Sequence, residues 1–449
     1  MNKLHSPKLL KYRSLATEAP RRSITLIDAI SLIVGLVIGA GIFETPALVA
    51  ANTGTTNGVL WIWLIGGAVS LLGALCYAEL ATAYPHVGGN YYYLKRAFGQ
   101  PLAVLFAWAR MTVIQTGSIA LLAFVMGDYA SQLFPLGPAS ASIYAAITIT
   151  LLTLINIIGI HQSKQTQNWL TAANILGLLL VIVLGLALSP AALPSPPAAS
   201  TTGSWGLALV FVLLSYGGWN EAAYISAEIK TPQRNMVRSL LWGIGIITTL
   251  YLLLNLAYLR GLGVGGMAGS PAVAAELLRQ VGGEAGATFI SLLVVIATVG
   301  SINATIITGA RSSFALGQDV SLFRFLGTWQ PKPSSPTAAY LVQAGIALTL
   351  VGLGTYTRQG FETMVDYTAP IFWFFFLFST LALIVLRFRE PFRPRPFRVP
   401  LYPLIPLLFC IICGYLLYSS LVYTGIGSIV GVVVVLLGIP LIRQSQNPN

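Results

Sequence analysis

GLVIGAGIFETP, residues 35–46, interrupts the first long apolar segment of the chain, which covers residues 24–52. Three glycines and a proline weaken an α-helix here, because each glycine costs about 1 kcal/mol relative to alanine. In a bilayer, a broken helix is tolerated only where it is buried in protein or lines a cavity. Two interpretations follow: close helix packing through Gly35 and Gly39, or a break that forms half of a binding site.

The composition is that of a membrane protein. The 449 residues are 56% hydrophobic and 8% charged, against about 25% charged in soluble domains, and the mean hydropathy is +0.78. The net charge of +12 comes from basic residues spread through short loops. This spread argues against a nucleic-acid-binding protein, which would gather them on one face. The spacing of His5, His86 and His161 predicts no metal site.

A span of the bilayer needs about 20 apolar residues. The chain offers twelve such segments: 24–52, 58–83, 101–130, 141–160, 166–189, 204–228, 237–261, 285–314, 337–356, 362–388, 401–423 and 426–443. With both termini in the cytoplasm, 21 of the 25 basic residues fall on the cytoplasmic side, as the positive-inside rule requires. We therefore expect a multi-pass protein of the plasma membrane (the inner membrane in a bacterium). Residues 1–23 would be a cytoplasmic tail, and residues 86–100 a short helix at the membrane interface.

A second interruption, SYGGWNE at residues 215–221, lies in the sixth predicted span. Paired interruptions at corresponding places in two halves are typical of transporter binding sites. They predict an all-α fold with two five-helix repeats of inverted orientation, residues 24–189 and 204–388, in which helices 1 and 6 are discontinuous. Residues 401–443 would then add two further membrane helices.

The chemistry of two such breaks follows from their unpaired backbone groups. A half-helix that begins near Ile42 would present free N–H groups and a positive dipole end, which suit a carboxylate. Free carbonyls near Val37 and Ile38, and near Leu214 and Ser215, would suit an ammonium group. Together they predict a site for a zwitterionic amino acid, with glycine packing and proline kinks as the remaining alternative.

Six motifs resemble the amino acid–polyamine–organocation superfamily, above all its L-type amino acid transporter branch and bacterial relatives. They are GAGIFETP (39–46), CYAELATAYPHVGGNYYY (76–93), SYGGWN (215–220), EIKTPQRNMVRS (228–239), GSINATIITGARSSFALGQD (300–319) and REPFRPRPFRVPLYP (389–403). The resemblance covers essentially the whole chain. It implies the five-plus-five inverted-repeat fold and secondary transport or exchange of amino acids by alternating access.

The resemblance also assigns roles to individual positions. The N–H groups of Ala40, Gly41 and Ile42 match those that hold the substrate carboxylate. The carbonyls of Val37, Leu214 and Ser215 match those that bind the substrate amino group. The positions that match the side-chain pocket and gate are Tyr216, Gly217, Gly218 and Trp219. Relatives with cationic substrates carry an acid at the position of Gly217, so glycine here favours neutral substrates.

Two departures from the family pattern affect coupling and partners. Many relatives carry a lysine in the fifth span, where it stands in for a sodium ion or handles a proton. The matching residue is Asn174, which cannot carry a charge. Mammalian relatives join a heavy chain through an external cysteine between spans 3 and 4, but residues 131–140 contain none. We therefore expect no disulfide-linked heavy chain.

Polar residues inside the spans are functional candidates by default. Glu44, which follows Phe43 on the outward side, and Glu221 each suit a first helical turn. Alternatively, Glu44 attracts a substrate ammonium and Glu221 binds a coupling proton. Asp366 is a candidate for an outer gate. Thr298 and Ser301 either bond back to their own helix or bind sodium.

These observations lead to a neutral amino acid transporter as the first hypothesis. A cationic amino acid or polyamine transporter that uses Glu44 or Asp366 is the second, and an amino acid receptor is a more distant one. The sequence shows no clustered nucleophile, base or metal set, so we expect neither an enzyme nor a cofactor. Coupling to a proton or to sodium is left open.

Overall fold

The computed structural model describes residues 22–190, 205–270, 272–331, 334–357, 360–424 and 426–445, without the side chains of residues 356–367, 423–428 and 443–445. The described parts are helical apart from loops and two isolated β-bridges. The α-helices are α1 Leu26–Val37, α2 Gly41–Thr53, α3 Thr56–Ala83, α4 Asn90–Phe98, α5 Gln100–Ala109, α6 Gln115–Leu133, α7 Ser140–Ile158, α8 Ile160–Ala187, α9 Trp205–Ser215, α10 Pro232–Gly269, α11 Val273–Asp319, α12 Thr337–Thr357, α13 Gly360–Arg389, α14 Leu404–Thr424, α15 Ile426–Leu436 and α16 Ile439–Ser445.

The predicted all-α membrane architecture is confirmed. Within the described residues, nine helical stretches are long and apolar enough to cross a bilayer, and the bent pair α1–α2 makes a tenth. The sixth and twelfth predicted spans contain α9 and α15, each of only 11 α-helical residues. The count of twelve spans, the inverted repeat and the boundaries 24–189, 204–388 and 401–443 therefore stay predictions.

The first break falls where the glycines predict it. α1 ends at Val37, α2 begins at Gly41, and the two axes differ by 48°. The start of α1 is fixed by a capping box, in which Thr25 accepts from the Asp28 N–H and Asp28 accepts from the Thr25 N–H. α1 packs against α8, α10 and α11, while α2 packs against α9 and α10. The break is thus enclosed by protein on several sides.

The second break is longer than the first. α9 ends at Ser215, a turn follows, and Gly218 takes φ 116°, a conformation that favours glycine. The chain then continues as a 3-10 helix, Trp219–Ile225, rather than as an α-helix. The inner part of the sixth span is therefore a tight, short element, all of whose residues are buried.

The helix predicted within residues 86–100 is present as α4, whereas its position at the membrane interface stays a prediction. α4 packs against α5 and α13, and five of its residues are buried: Asn90, Tyr91, Tyr93, Leu94 and Ala97. Aromatic residues can anchor a helix at a membrane interface or fill a core. Here Tyr91, Tyr93 and Leu94 pack into the core of the bundle.

Candidate functional site

The two breaks lie directly against each other. A Cβ atom added to Gly41 would come within 3.0 Å of the Cα atom of Ser215, and one added to Gly218 would come within 3.3 Å of the backbone of Leu36. Only glycine permits such close approach of two backbones. Ser215 further donates its hydroxyl to Thr45 of α2, at 2.8 Å. The glycines therefore do both things that the sequence suggests: they interrupt their helices, and they allow the two breaks to pack against each other.

The first break presents a group of unpaired amides. Within the described part of the chain, the backbone N–H groups of Ala40, Gly41 and Ile42 have no hydrogen-bond acceptor, whereas those of Phe43 and Glu44 donate to the Ala40 carbonyl. These three N–H groups are the ones that the sequence predicts for a carboxylate. Unpaired amides at the positive end of a helix form an anion site.

The carbonyl groups differ from the prediction. The sequence predicts free carbonyls at Val37, Ile38, Leu214 and Ser215, and this is wrong. The Tyr251 hydroxyl lies 3.0 Å from the Val37 oxygen and 3.1 Å from the Ser215 oxygen. The Leu214 oxygen accepts from the Gly217 N–H. Because a carbonyl oxygen has two lone pairs, these groups still have capacity for an ammonium group.

Asn174 and Ser301 support the first break from two neighbouring helices. The Asn174 amide donates to the Ile38 carbonyl at 3.0 Å, and the Ser301 hydroxyl donates to the Gly35 carbonyl at 2.8 Å. Thr298 instead donates to the Val294 carbonyl of its own helix, which is the alternative to sodium binding that the sequence predicts. Asn174 therefore lies where the family pattern implies, and a neutral amide supplies the hydrogen-bond donor at this carbonyl.

A narrow apolar cavity lies beside the second break. It is bounded by Gly217 and Trp219 of the break, by Phe372, Trp373 and Phe376 of α13, and by Phe409 of α14, with Ser70 and Asn220 as its polar lining. The ring of Trp219 packs against Phe376 at 5.6 Å and against Phe409 at 6.1 Å between centroids. Tyr216 is turned away, and its hydroxyl donates to the Trp63 carbonyl. Such a lining suits an apolar side chain.

A buried ion pair follows the second break directly. Both guanidinium Nη atoms of Arg110 donate to the two carboxylate oxygens of Glu221, and the Arg110 Nε atom donates to Ser312. Arg110 also stacks over the Tyr224 ring at 3.9 Å. The Arg110 and Glu221 side chains are 2% and 8% exposed. The pair joins the third predicted span, where residues 110–114 form a π-helical turn, to the sixth.

A second buried ion pair involves a residue that follows the second break along the chain. Arg311 of α11 donates to both carboxylate oxygens of Glu228, and each side chain is 1% exposed. The Glu228 carbonyl accepts from the Ile24 N–H at 3.0 Å, which ties this loop to the segment before α1. The start of the first broken span and the end of the sixth are thus joined to each other and to α11.

On the other side of the breaks, Glu44 lies in the first turn of α2 and accepts from the Tyr129 hydroxyl at 3.0 Å. Its neighbour Phe43 is 2% exposed and therefore packs into the protein. The side chain of Asp366 lies outside the described residues. Of the predicted gating residues whose side chains the structure describes, Phe43 and Glu44 lie in this region.

Sequence reasoning missed Tyr251 and the α13 aromatic residues at this site. Tyr251 is one of several tyrosines in an apolar helix, and only the structure shows that its hydroxyl reaches both breaks. The FWFFFLF run of residues 372–378 was visible as apolar, yet periodicity alone did not indicate which of its rings face the second break.

The comparison with protein families is decisive. The family described as amino acid permease matches residues 24–442, almost the whole chain. The chain belongs to the amino acid permease family. This permease is therefore a multi-pass membrane transporter of amino acids rather than an enzyme, as the motifs of its sequence imply.

Curated relatives cover most of this permease. It is 30% identical over 416 residues to the b(0,+)-type amino acid transporter 1 of Rattus norvegicus, with 90% of this chain and 84% of that protein aligned. It is 29% identical over 437 residues to the Asc-type amino acid transporter 1 of Mus musculus, covering 94% and 81%. It is also 30% identical over 436 residues to the human large neutral amino acids transporter small subunit 2, covering 94% and 80%.

Proposed function

We propose that this permease exchanges neutral amino acids across the plasma membrane (the inner membrane in a bacterium), with both termini in the cytoplasm. The three unpaired amides of the first break carry the proposal, and the apolar lining beside Gly217 belongs to the second break, which packs against the first. The substrate carboxylate would take the N–H groups of Ala40, Gly41 and Ile42. Its ammonium group would replace the Tyr251 hydroxyl at the carbonyls of Val37 and Ser215. The name of one relative, a large neutral amino acids transporter, agrees with this substrate class.

The side-chain preference depends on Gly217. A Cβ atom at this position would lie 3.1 Å from the Leu214 carbonyl oxygen, so a small side chain fits after a shift of a few tenths of an ångström. Gly217→Asp would place a carboxylate in the apolar cavity, where it would attract a cationic side chain. Gly217→Asn has nearly the same size and no charge, and therefore serves as the matched control.

Proteoliposomes that contain the purified protein test the proposal by counterflow of labelled amino acids. We expect the wild type to exchange neutral amino acids and to exclude arginine, Gly217→Asp to gain arginine exchange, and Gly217→Asn to gain none. Arginine or polyamine exchange by the wild type that exceeds its neutral exchange would support the cationic alternative. Specific binding without any counterflow would instead support a receptor.

We propose further that exchange needs neither sodium nor a proton at this site. The Asn174 amide and the Ser301 hydroxyl already donate to carbonyls of the first break, where a cation would otherwise bind. Glu221 accepts from Arg110 and Asn220, so both of its side-chain oxygens are already engaged. Counterflow should keep its rate when sodium is replaced by choline and when the pH gradient is removed. If Glu221 were the coupling acid, Glu221→Gln would abolish the pH-gradient drive and spare exchange.

The cysteines favour function without a disulfide-linked partner. Cys76, Cys410 and Cys413 are the three cysteines of the sequence, and all are buried within helices. None can reach an external chain without unfolding its helix. We expect the purified protein to migrate identically on gels with and without a reducing agent, and to retain exchange after the three cysteines are replaced by serine or alanine.

A further inference from the structure

The last turn of α13 and the segment that follows it are unusually rich in arginine. Residues 387–398 contain Arg387, Arg389, Arg393, Arg395 and Arg398. Three of them are engaged within the protein. Arg387 and Arg395 pair with Glu79 of α3, and Arg393 donates to the Ala83 carbonyl.

The Glu79 carboxylate holds the segment in a fixed shape. It accepts from Arg387 Nε at 2.8 Å and from the Val399 N–H at 2.7 Å, and Arg395 Nε lies 3.3 Å away. A separate pair, Arg96 with Glu390, fastens the same turn to α4 at 2.6 Å, and this carboxylate raises the pKa of Arg96. Arg387 and the Val399 N–H therefore meet at one carboxylate, and Arg389 and Arg398 lie within two residues of these positions along the chain.

Arg389 and Arg398 are the two arginines left over. Both are exposed, and within the described residues neither makes an ion pair or a hydrogen bond. Two aromatic side chains of the same segment are also exposed: Phe388 is 77% exposed and Phe392 is 96% exposed. This combination lies where the apolar helix α13 ends, which is the depth of the lipid headgroups.

We propose that Arg389, Arg398, Phe388 and Phe392 bind an anionic phospholipid of the surrounding bilayer. A guanidinium group pairs with two oxygens of one phosphate, and two such groups whose chain neighbours meet at Glu79 match an anionic headgroup. Phenylalanine rings at the headgroup boundary contact the upper part of the acyl chains. Because Glu79 pairs with Arg387 and Arg395, and Arg393 donates to the Ala83 carbonyl, Arg389 and Arg398 are the two arginines of the segment whose guanidinium groups are available to a phosphate.

Lipid titration of the purified full-length protein in neutral detergent tests the proposal, with bound lipid counted by native mass spectrometry. A basic residue near an anionic lipid surface contributes about a fivefold gain in affinity, so Arg389→Gln with Arg398→Gln should weaken phosphatidylglycerol binding by about 30-fold. Phe392→Ser should weaken it as well. Arg260→Gln is the matched control, because Arg260 is an exposed arginine on α10 and should leave binding unchanged.

The possible results distinguish lipid binding from the binding of a soluble anion and from misfolding of a variant. Each variant is first checked for an unchanged thermal unfolding midpoint, which none of the exposed side chains should alter. Phosphatidylglycerol binding that survives the double substitution overturns the proposal. So does wild-type binding of phosphatidylcholine with equal affinity, or displacement of the lipid by millimolar glycerol phosphate, which would indicate a site for a soluble anion. None of these readouts depends on which amino acid is transported.

Discussion

The hydroxyl of Tyr251 lies 3.0 Å from the carbonyl oxygen of Val37, and the same hydroxyl lies 3.1 Å from the carbonyl oxygen of Ser215. One side chain of α10 thus reaches the ends of both broken helices. A phenol carries a single proton and can donate to only one of the two carbonyls at a time. A substrate ammonium group carries three protons and can satisfy both, so it competes favourably with Tyr251 for this position.

Tyr251→Phe should raise the exchange rate at low substrate concentration without unfolding the protein, because it removes the hydroxyl that competes with the substrate ammonium for the Val37 and Ser215 carbonyls. It removes one buried hydrogen bond, which is worth about 1 kcal/mol, or about fivefold in rate or affinity. Counterflow of a neutral amino acid in proteoliposomes measures the effect. Tyr258→Phe is the matched control, because the Tyr258 hydroxyl lies on the same helix, is buried, and has no hydrogen-bond partner among the described residues. Equal rates for the two variants would contradict a role for Tyr251 at the breaks.

Gly41→Ala should nearly abolish exchange. The added methyl group would lie 2.8 Å from the Ser215 hydroxyl oxygen and 3.0 Å from its Cα atom, so the two breaks would have to separate. Gly245→Ala is the control, since a Cβ atom there meets nothing within 4 Å and alanine favours the helix by about 1 kcal/mol. Normal counterflow by Gly41→Ala would mean that the contact between the breaks is not needed for transport.

The broken helices were predictable because glycine and proline mark them in the sequence. GLVIGAGIFETP and SYGGWNE both interrupt long apolar runs, and the structure ends α1 at Val37 and α9 at Ser215, within these stretches. The amides of Ala40, Gly41 and Ile42 follow from the same pattern, since the first N–H groups of any helix lack a partner inside it.

The partners of the breaks were not predictable, since they depend on helix packing between distant segments. Nothing in the pattern of α10 distinguishes Tyr251 from Tyr258, although their hydroxyl groups have opposite surroundings. Likewise, an arginine inside a membrane span needs an acid as its partner, and the sequence alone does not indicate which acid pairs with Arg110. The structure gives the partner, because the 3-10 helix after Gly218 holds Glu221 within hydrogen-bond distance of Arg110.

Breaking the Arg110–Glu221 pair should destabilise the protein more than removing it altogether. Glu221→Gln leaves a buried guanidinium without its counter-charge, which typically costs 3–5 kcal/mol, and it should lower the thermal unfolding midpoint in detergent. Combining it with Arg110→Gln should recover much of the loss, because no charge then remains buried. Glu284→Gln is the control, since the Arg279–Glu284 pair is exposed and worth little. A double variant that loses the sum of the two single effects would contradict this account.

His86 should make stability fall in mildly acidic solution. Its ring stacks on Tyr92 at 4.2 Å, and its Nδ1 atom accepts from the Gly88 N–H at 2.9 Å. Burial lowers its pKa below the usual 6.5, with nearby Lys95 acting in the same direction and Asp319 opposing. His86 therefore takes up a proton near pH 6.5 in the unfolded chain, but only at a lower pH in the folded protein. Stability is therefore lost as the pH falls below about 6.5.

His86→Asn isolates this contribution. The asparagine Oδ1 atom can accept the Gly88 N–H in place of the imidazole Nδ1 atom, but it does not titrate. Thermal unfolding midpoints measured from about pH 8 to about pH 5.5 should drop for the wild type and drop less for the variant. His161→Asn, which changes an exposed histidine of α8, should behave as the wild type does. The same pH profile in both variants would place the sensitivity elsewhere, because of the two histidines that the structure describes, His86 is the one whose ring nitrogen accepts from a backbone donor.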